Sequence, residues 1–144
     1  MASEPDQACW DTQWVQPQNN GLDCSSLSRV VDLLHPFFSN LGEEVLRVLF
    51  LTSSWELCGM VAWSGNRTSI ELPVRRIIAS ALAVDARALV IAHNHPSGDS
   101  RPSRRDVEAT RDLSRICDRL GMPLIDHVIL ASNEITSLRS LRLI

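Results

Sequence analysis

The sequence predicts a single mixed α/β domain in which helices cover a mostly antiparallel sheet. Its 144 residues are about the length of one ordinary domain, and a hydrophobic fraction of 44% is normal for a globular core. Stretches with helical periodicity alternate along the chain with short apolar runs that are bounded by turn residues. Together these observations favour one sheet with helices packed against it.

The N-terminal segment differs from the rest of the chain in composition. Residues 1–24 are rich in Gln, Asn, Asp and Pro, so we expect a poorly ordered tail ahead of a domain over residues 25–144. The first residues lack the charged and apolar regions of a signal peptide, and no apolar run approaches the roughly 18 residues of a membrane span. The four cysteines form no CxxC pair, which favours free thiols in a reducing cytoplasm.

The first half of the domain is predicted to contain a helix followed by antiparallel strands. An apolar stripe that begins at Leu27, behind a serine cap, predicts a helix that Pro36 should end or kink. Apolar runs over residues 44–52 and 55–63 predict two strands joined by a hairpin turn, and a third short strand is expected over residues 67–72.

The second half is predicted to alternate helices and strands. Pro73 should open the second helix, and the apolar residues 88–92 should form a central strand. The third helix is expected from about Ser103 to Leu120, where Gly121 would stop it. Further strands are predicted over residues 124–130 and 136–143.

Charge is unevenly distributed along the chain. The formal net charge is -3, and all 14 basic residues are arginine. Residues 1–72 carry three arginines and nine acidic residues, whereas residues 73–144 carry eleven arginines and eight acidic residues. The overall balance argues against a broadly basic nucleic-acid binder. Locally, however, Arg101, Arg104 and Arg105 could attract an anionic substrate or a phosphate backbone.

The loop that follows the predicted central strand carries the clearest chemical signal. His93 and His95 lie two residues apart at the strand end, so their rings project from the same face while Asn94 points away. Asp106 follows in the first turn of the third helix, where the loop can bring it back over the strand end. Two histidines, an aspartate and an open fourth position are typical of a catalytic zinc site, whose bound water has a pKa near about 7. Ser103 could then donate a hydrogen bond to a developing oxyanion.

Some of these residues also have plain structural explanations. Ser103 and Asp106 match a capping box at a helix N-terminus, which is compatible with metal binding by Asp106. Asp126 and His127 either steady a ligand imidazole or belong to the core. A zinc deaminase is not expected, because the chain lacks the Pro-Cys-x-x-Cys string that supplies its ligands.

The spacing of these residues resembles the JAMM metalloprotease motif of MPN (JAB) domains. His93-x-His95, seven residues, Ser103, two residues and Asp106 match it without a gap. The string His-Asn-His-Pro-Ser-Gly-Asp is similar to the RadC-like branch of that family. The resemblance covers roughly residues 41–131 and implies the MPN fold. It also implies that the two histidines and the aspartate bind zinc and that the serine is the family's catalytic serine.

The resemblance further implies a glutamate base at the start of the first strand of the sheet. Glu44 is the best match and Glu43 is the alternative, and a strand period of two lets only one of them face the site. The function implied is zinc-dependent hydrolysis of a peptide or isopeptide bond in an unidentified protein substrate. The alternative is a metal-binding module without peptidase activity that works in DNA repair or recombination, where the three local arginines would contact phosphate.

Overall fold

The computed structural model describes residues 13–15, 21–39, 41–64 and 72–144. In chain order the elements are β1 (Gln13–Val15), α1 (Leu27–Phe38), β2 (Val45–Leu51), β3 (Leu57–Ser64), α2 (Val74–Ala83), β4 (Ala88–Asn94), α3 (Arg104–Arg119), β5 (Leu124–Ala131) and β6 (Glu134–Ser137). Among the described residues, no helix has both the length and the hydrophobicity that crossing a membrane requires.

The strands form one sheet in the order β1-β3-β2-β4-β5-β6. Every neighbouring pair is antiparallel except β4 and β5, which are parallel. A parallel pair needs a long crossover connection, and α3 supplies it here. The prediction of a mixed, mostly antiparallel sheet flanked by helices is therefore confirmed, and β4 lies in the interior of that sheet.

The alternation of side chains along the strands creates two separate cores. Leu46 and Val48 of β2 face α2 and α3, and they belong to a cluster that also contains Ile77, Ala81, Leu113 and Cys117. Leu49 and Leu51 face the other side, where α1 contributes Val30 and Leu34. The sheet is therefore the middle layer, with α1 on one face and the other two helices on the opposite face.

Of the two outcomes predicted at Pro36, an end or a kink, the first is wrong, because the first helix continues to Phe38. Proline has no N–H to donate to the carbonyl of Asp32, so one helical hydrogen bond is missing. Pro36 lies in the last turn of the helix, so this loss affects only its end. Phe37 and Phe38 pack against the Arg47 guanidinium, whose Cζ lies 4.6 Å and 5.6 Å from the two ring centroids. This tertiary contact explains why the helix continues beyond the proline.

The last strand lies earlier than predicted. β6 pairs with β5 over residues 134–137, and the chain then turns, with Leu138 buried and Leu141 more than half exposed. The Arg139 side chain reaches back to the carbonyl of Leu124, with Nη2 and the oxygen 2.9 Å apart. After Ser137 the C-terminal segment leaves the edge of the sheet. The predicted strand over residues 136–143 is therefore wrong beyond its first two residues.

Parts of the predicted tail are folded. Residues 13–15 pair with β3 as an edge strand. The N–H of Cys24 donates to the carbonyl of Trp55 at 2.8 Å, and the N–H of Leu57 donates to the carbonyl of Leu22 at 2.8 Å. A poorly ordered tail over residues 1–24 therefore does not hold for these segments. The rest of that tail, and residues 67–71 of the predicted third strand, lie outside the described residues.

The cysteines in the described part of the chain are thiols. Cys24, Cys58 and Cys117 are free, as expected. Burial raises the pKa of the Cys24 and Cys117 thiols to about 11. Both therefore remain protonated at neutral pH and pack as small apolar side chains.

Substitution of Leu34 tests the position of α1 on the sheet. Leu34 is fully buried, whereas Leu82 of α2 is 61% exposed. We expect Leu34→Ala to lower the free energy of unfolding by about 2–5 kcal/mol, because it leaves a cavity beneath α1. Leu82→Ala should change it by less than about 0.5 kcal/mol. Urea denaturation followed by circular dichroism measures both, and equal losses would contradict this packing.

Candidate metal centre

The C-terminal end of β4 positions His93 and Asn94 on opposite faces of the sheet. His93 pairs with Leu46 of β2, faces α3 and is only 2% exposed. The Asn94 amide faces the other way, as predicted, and its Oδ1 accepts from the N–H of Val45 at 2.7 Å. Its Nδ2 donates to the carbonyl of Glu43 at 2.9 Å. Asn94 therefore holds the backbone on both sides of Glu44.

Four side chains meet at the end of the strand. The Nε2 atoms of His93 and His95 are 2.9 Å apart. Glu44 Oε1 and Asp106 Oδ1 each lie 3.6 Å from His93 Nε2, and Asp106 Oδ2 lies 3.6 Å from His95 Nε2. Ligand atoms around a tetrahedral zinc ion at about 2.0–2.1 Å are about 3.3 Å from one another. The distances of 2.9 and 3.6 Å lie on either side of this value, so the histidine and carboxylate atoms are placed where they could hold a metal ion.

Glu44 is part of this cluster in geometric terms. One ligand atom each from Glu44, His93 and His95 lies within 4.8 Å of the other two, which is close enough to hold a metal ion. Glu44 precedes Leu46 by two residues, so the two share a face of the sheet. Glu43 has an exposed side chain, and its carbonyl is held by Asn94. The geometry therefore brings Glu44, not Glu43, to the histidines.

Ser103 and Asp106 form the predicted capping box at the start of α3. The Ser103 hydroxyl accepts from the N–H of Asp106 at 3.0 Å, and Asp106 Oδ2 accepts from the N–H of Ser103 at 2.7 Å. Asp106 Oδ1 remains directed to His93. The capping and ligand interpretations are thus compatible, because the two oxygens of one carboxylate serve different partners.

The outer ring nitrogens of both histidines are engaged away from the centre. His95 Nδ1 donates to the carbonyl of Asp99 at 2.7 Å. His93 Nδ1 lies 2.6 Å from His127 Nε2. Since the Asp99 carbonyl can only accept, a neutral His95 keeps its lone pair on Nε2, which faces the cluster. Fixed outer nitrogens of this kind orient imidazoles toward a metal.

The environment separates the acidities of the two carboxyl groups. Burial raises the pKa of Glu44, and the charge of Asp106 adds to this, although His95 opposes it. Burial also disfavours the Asp106 carboxylate, but His95, His93 and Ser103 outweigh that effect and hold its pKa well below the ordinary value. Burial lowers the pKa of His93 to about 4, so its ring is neutral at pH 7.

Residues 24–143 match the RadC-like JAB domain family. The chain belongs to the RadC-like JAB family. This result confirms the family and the JAB fold that the motif implied, and the matched segment contains all five residues proposed for the site.

Several UPF0758 proteins are similar to most of this chain. A UPF0758 protein of Clostridium beijerinckii is 31% identical over 127 residues, which are 88% of this chain and 56% of the relative. One of Salinibacter ruber is 33% identical over 123 residues, or 84% and 52%. One of Carboxydothermus hydrogenoformans is 38% identical over 103 residues, or 70% and 45%. The chain therefore spans about half the length of the curated relatives it matches.

The arginines near the RadC-like motif have acidic partners on their own segments. Arg101 Nη2 lies 2.7 Å from Asp99 Oδ2, and Arg104 Nε lies 2.7 Å from Glu108 Oε1. Both pairs are largely exposed, so each contributes little to stability. They nonetheless reduce the positive charge that these two residues present to an anionic partner.

Replacing Asn94 tests whether it holds the segment that carries Glu44. Asn94→Asp keeps the shape but places an oxygen against the carbonyl of Glu43 and removes a buried donor. We expect the free energy of unfolding to fall by about 1–3 kcal/mol. Asn133→Asp makes the same chemical change at an exposed turn residue and should cost less than about 0.5 kcal/mol. Matching urea curves for the two variants would show that the buried amide has no such role.

Proposed function

We propose that this RadC-like chain is a zinc-dependent hydrolase of peptide or isopeptide bonds that acts on a protein or peptide substrate in the cytoplasm. The observation that supports this most strongly is the convergence of His93, His95, Asp106 and Glu44. Two histidine nitrogens 2.9 Å apart lie beside two carboxylates, which is an arrangement that a divalent cation would stabilise.

The two carboxylates are suited to different roles. The capping box fixes Asp106, and its pKa is held low, so it stays ionised and suits a metal ligand together with His93 and His95. The pKa of Glu44 is raised, so its carboxylate takes up a proton more readily and suits a general base. Carboxyl groups whose environments push their pKa values apart are a common way to divide these roles in one site.

The residues of the chain then account for the proton transfers of hydrolysis. Zinc held by His93, His95 and Asp106 would supply Lewis acidity for activating water and for polarising the scissile carbonyl. Glu44 takes the proton of the attacking water and returns it to the leaving amine. Ser103, at the first turn of α3 beside Asp106, donates its hydroxyl hydrogen to the oxyanion that develops.

A cleft on the α1 side of the sheet reaches the cluster at His95 and offers space for part of a substrate. It has a volume of about 470 Å³ and lies between the end of α1, the residues that follow β4 and the β5–β6 turn. His95 and Pro96 line it on the side of the cluster, and His35 and Phe38 line it on the side of α1. An extended peptide segment in this cleft would pass next to His95.

The nucleic-acid alternative stays a prediction. It relies on Arg101, Arg104 and Arg105, and the first two of these are paired with carboxylates on their own segment. We therefore favour the hydrolase as the function that the site supports best.

Metal analysis tests the proposed ligand set. We expect the purified protein to hold one zinc ion per chain and His95→Ala to lose it. His35→Ala, which changes an exposed histidine of α1, should keep it. Zinc at 100 times its dissociation constant should stabilise the wild-type protein by about 2.7 kcal/mol in thermal or urea unfolding. A wild-type protein that neither retains zinc nor gains stability from it would refute the proposal.

A pair of glutamate variants tests the proposed base. Glu44→Gln should keep its zinc but lower the rate of hydrolysis by about 10²–10⁴-fold, because it cannot accept a proton. Glu43→Gln should hydrolyse at the wild-type rate. The measurement is a screen of zinc-loaded proteins against peptide libraries and isopeptide-linked peptides, with chelated protein as the blank. Equal rates for wild type and Glu44→Gln on a cleaved substrate would exclude Glu44 as the base.

A further inference from the structure

A buried chain of hydrogen bonds leads away from the candidate metal centre. His93 Nδ1 lies 2.6 Å from His127 Nε2, and His127 Nδ1 lies 2.6 Å from Thr110 Oγ1. The Thr110 hydroxyl in turn donates to the backbone carbonyl of Asp106. His93, His127 and Thr110 are at most 2% exposed, so these groups have little access to water.

The carbonyl of Asp106, at the end of this series of hydrogen bonds, sets the direction of every bond in the series. The Asp106 carbonyl can only accept, so it takes the single hydrogen of the Thr110 hydroxyl. Thr110 Oγ1 can then only accept from His127, which must carry its hydrogen on Nδ1. His127 Nε2 therefore holds a lone pair and accepts from His93 Nδ1.

The same sequence of donors determines what His93 presents to the site. A neutral imidazole carries one hydrogen, and burial as deep as that of the His93 and His127 rings favours the neutral form. With its hydrogen on Nδ1, His93 keeps a lone pair on Nε2, directed at His95, Glu44 and Asp106. If these hydrogen bonds ran in the opposite direction, His93 would carry its hydrogen on Nε2, where it would block a metal ion.

We propose that Thr110 and His127 are positioning residues that fix His93 in the tautomer able to bind metal. This inference rests on the proposed zinc site. Thr110 lies four residues after Asp106, on the same face of α3. The helix that supplies the carboxylate ligand therefore also sets the tautomer of the buried histidine.

Three variants separate this role from ordinary packing. Thr110→Val keeps the shape of the side chain but removes the hydroxyl, so His127 loses the acceptor that fixes its hydrogen on Nδ1. Thr110→Ser restores the hydroxyl. Thr136→Val is the matched control, because the Thr136 hydroxyl donates to Ser100 Oγ at 2.9 Å in a part-buried position outside the site.

Zinc affinity, measured by competition with a chelating dye, gives the first readout. Thr110→Val should bind zinc about 10-fold more weakly, which is the lower end of the range for removing a direct partner of a ligand histidine, because Thr110 acts through His127. Thr110→Ser and Thr136→Val should bind within a factor of about three of wild type. Wild-type affinity in a folded Thr110→Val protein would overturn the inference and leave the proposed zinc site intact. A wild-type protein that binds no zinc would refute the proposed function instead.

Imidazole ¹⁵N chemical shifts of the metal-free protein give a readout that needs neither zinc nor a variant. The chain has four histidines, so their ring signals can be resolved. At pH 8 the wild-type protein should show His93 and His127 with hydrogen on Nδ1, and Thr110→Val should show at least one of them shifted toward the Nε2–H form. Finding Nε2–H for His93 in the wild type would overturn the inference, even if Thr110→Val does not fold.

Discussion

Burial of polar side chains at the end of β4 is the constraint on which the rest of the site depends. β4 is an interior strand, and a polar group there must find a protein partner because water cannot supply one. His93 Nδ1 contacts His127 Nε2 on β5, and Asn94 Oδ1 accepts from the N–H of Val45 at the start of β2. His95, the residue after the strand, donates to the carbonyl of Asp99. The first two bonds connect β4 to β5 and to the start of β2, and the third orders the loop that follows β4. The hydrogen bonds of these polar side chains thus position the segments that surround the cluster.

The first turns of α3 concentrate several functions in a short segment. Ser103 begins the helix, Asp106 caps it and faces the histidines, and Thr110 meets His127 one turn later. A carboxylate is favourable at a helix N-terminus, so the position that suits a ligand also stabilises the helix. Because these groups lie on a regular helix packed against the sheet, their relative positions are fixed by secondary structure.

Local patterns in the sequence were enough to predict part of this arrangement. His93 and Asp106 belong to one short motif, so their spacing alone indicated a metal site. For His127 the sequence left two possibilities open, a partner of a ligand imidazole or a core residue. Its contact with His93 joins residues 34 positions apart, and the parallel pairing of β4 with β5 brings these two together. The contact with Thr110, 17 positions away on α3, is not visible in any local pattern. The continuation of α1 through Pro36 likewise depends on a tertiary contact that no local propensity contains.

The arginines after β4 illustrate how a local excess of positive charge can serve the fold. The Arg101 backbone N–H and guanidinium both bond to the Asp99 carboxylate. The carbonyl of that same Asp99 accepts from His95 Nδ1. Exposed ion pairs contribute little to stability, so the consequence of this one is geometric. Arg101 orders the turn that holds His95, so one residue of the basic surplus is connected through Asp99 to the candidate metal centre.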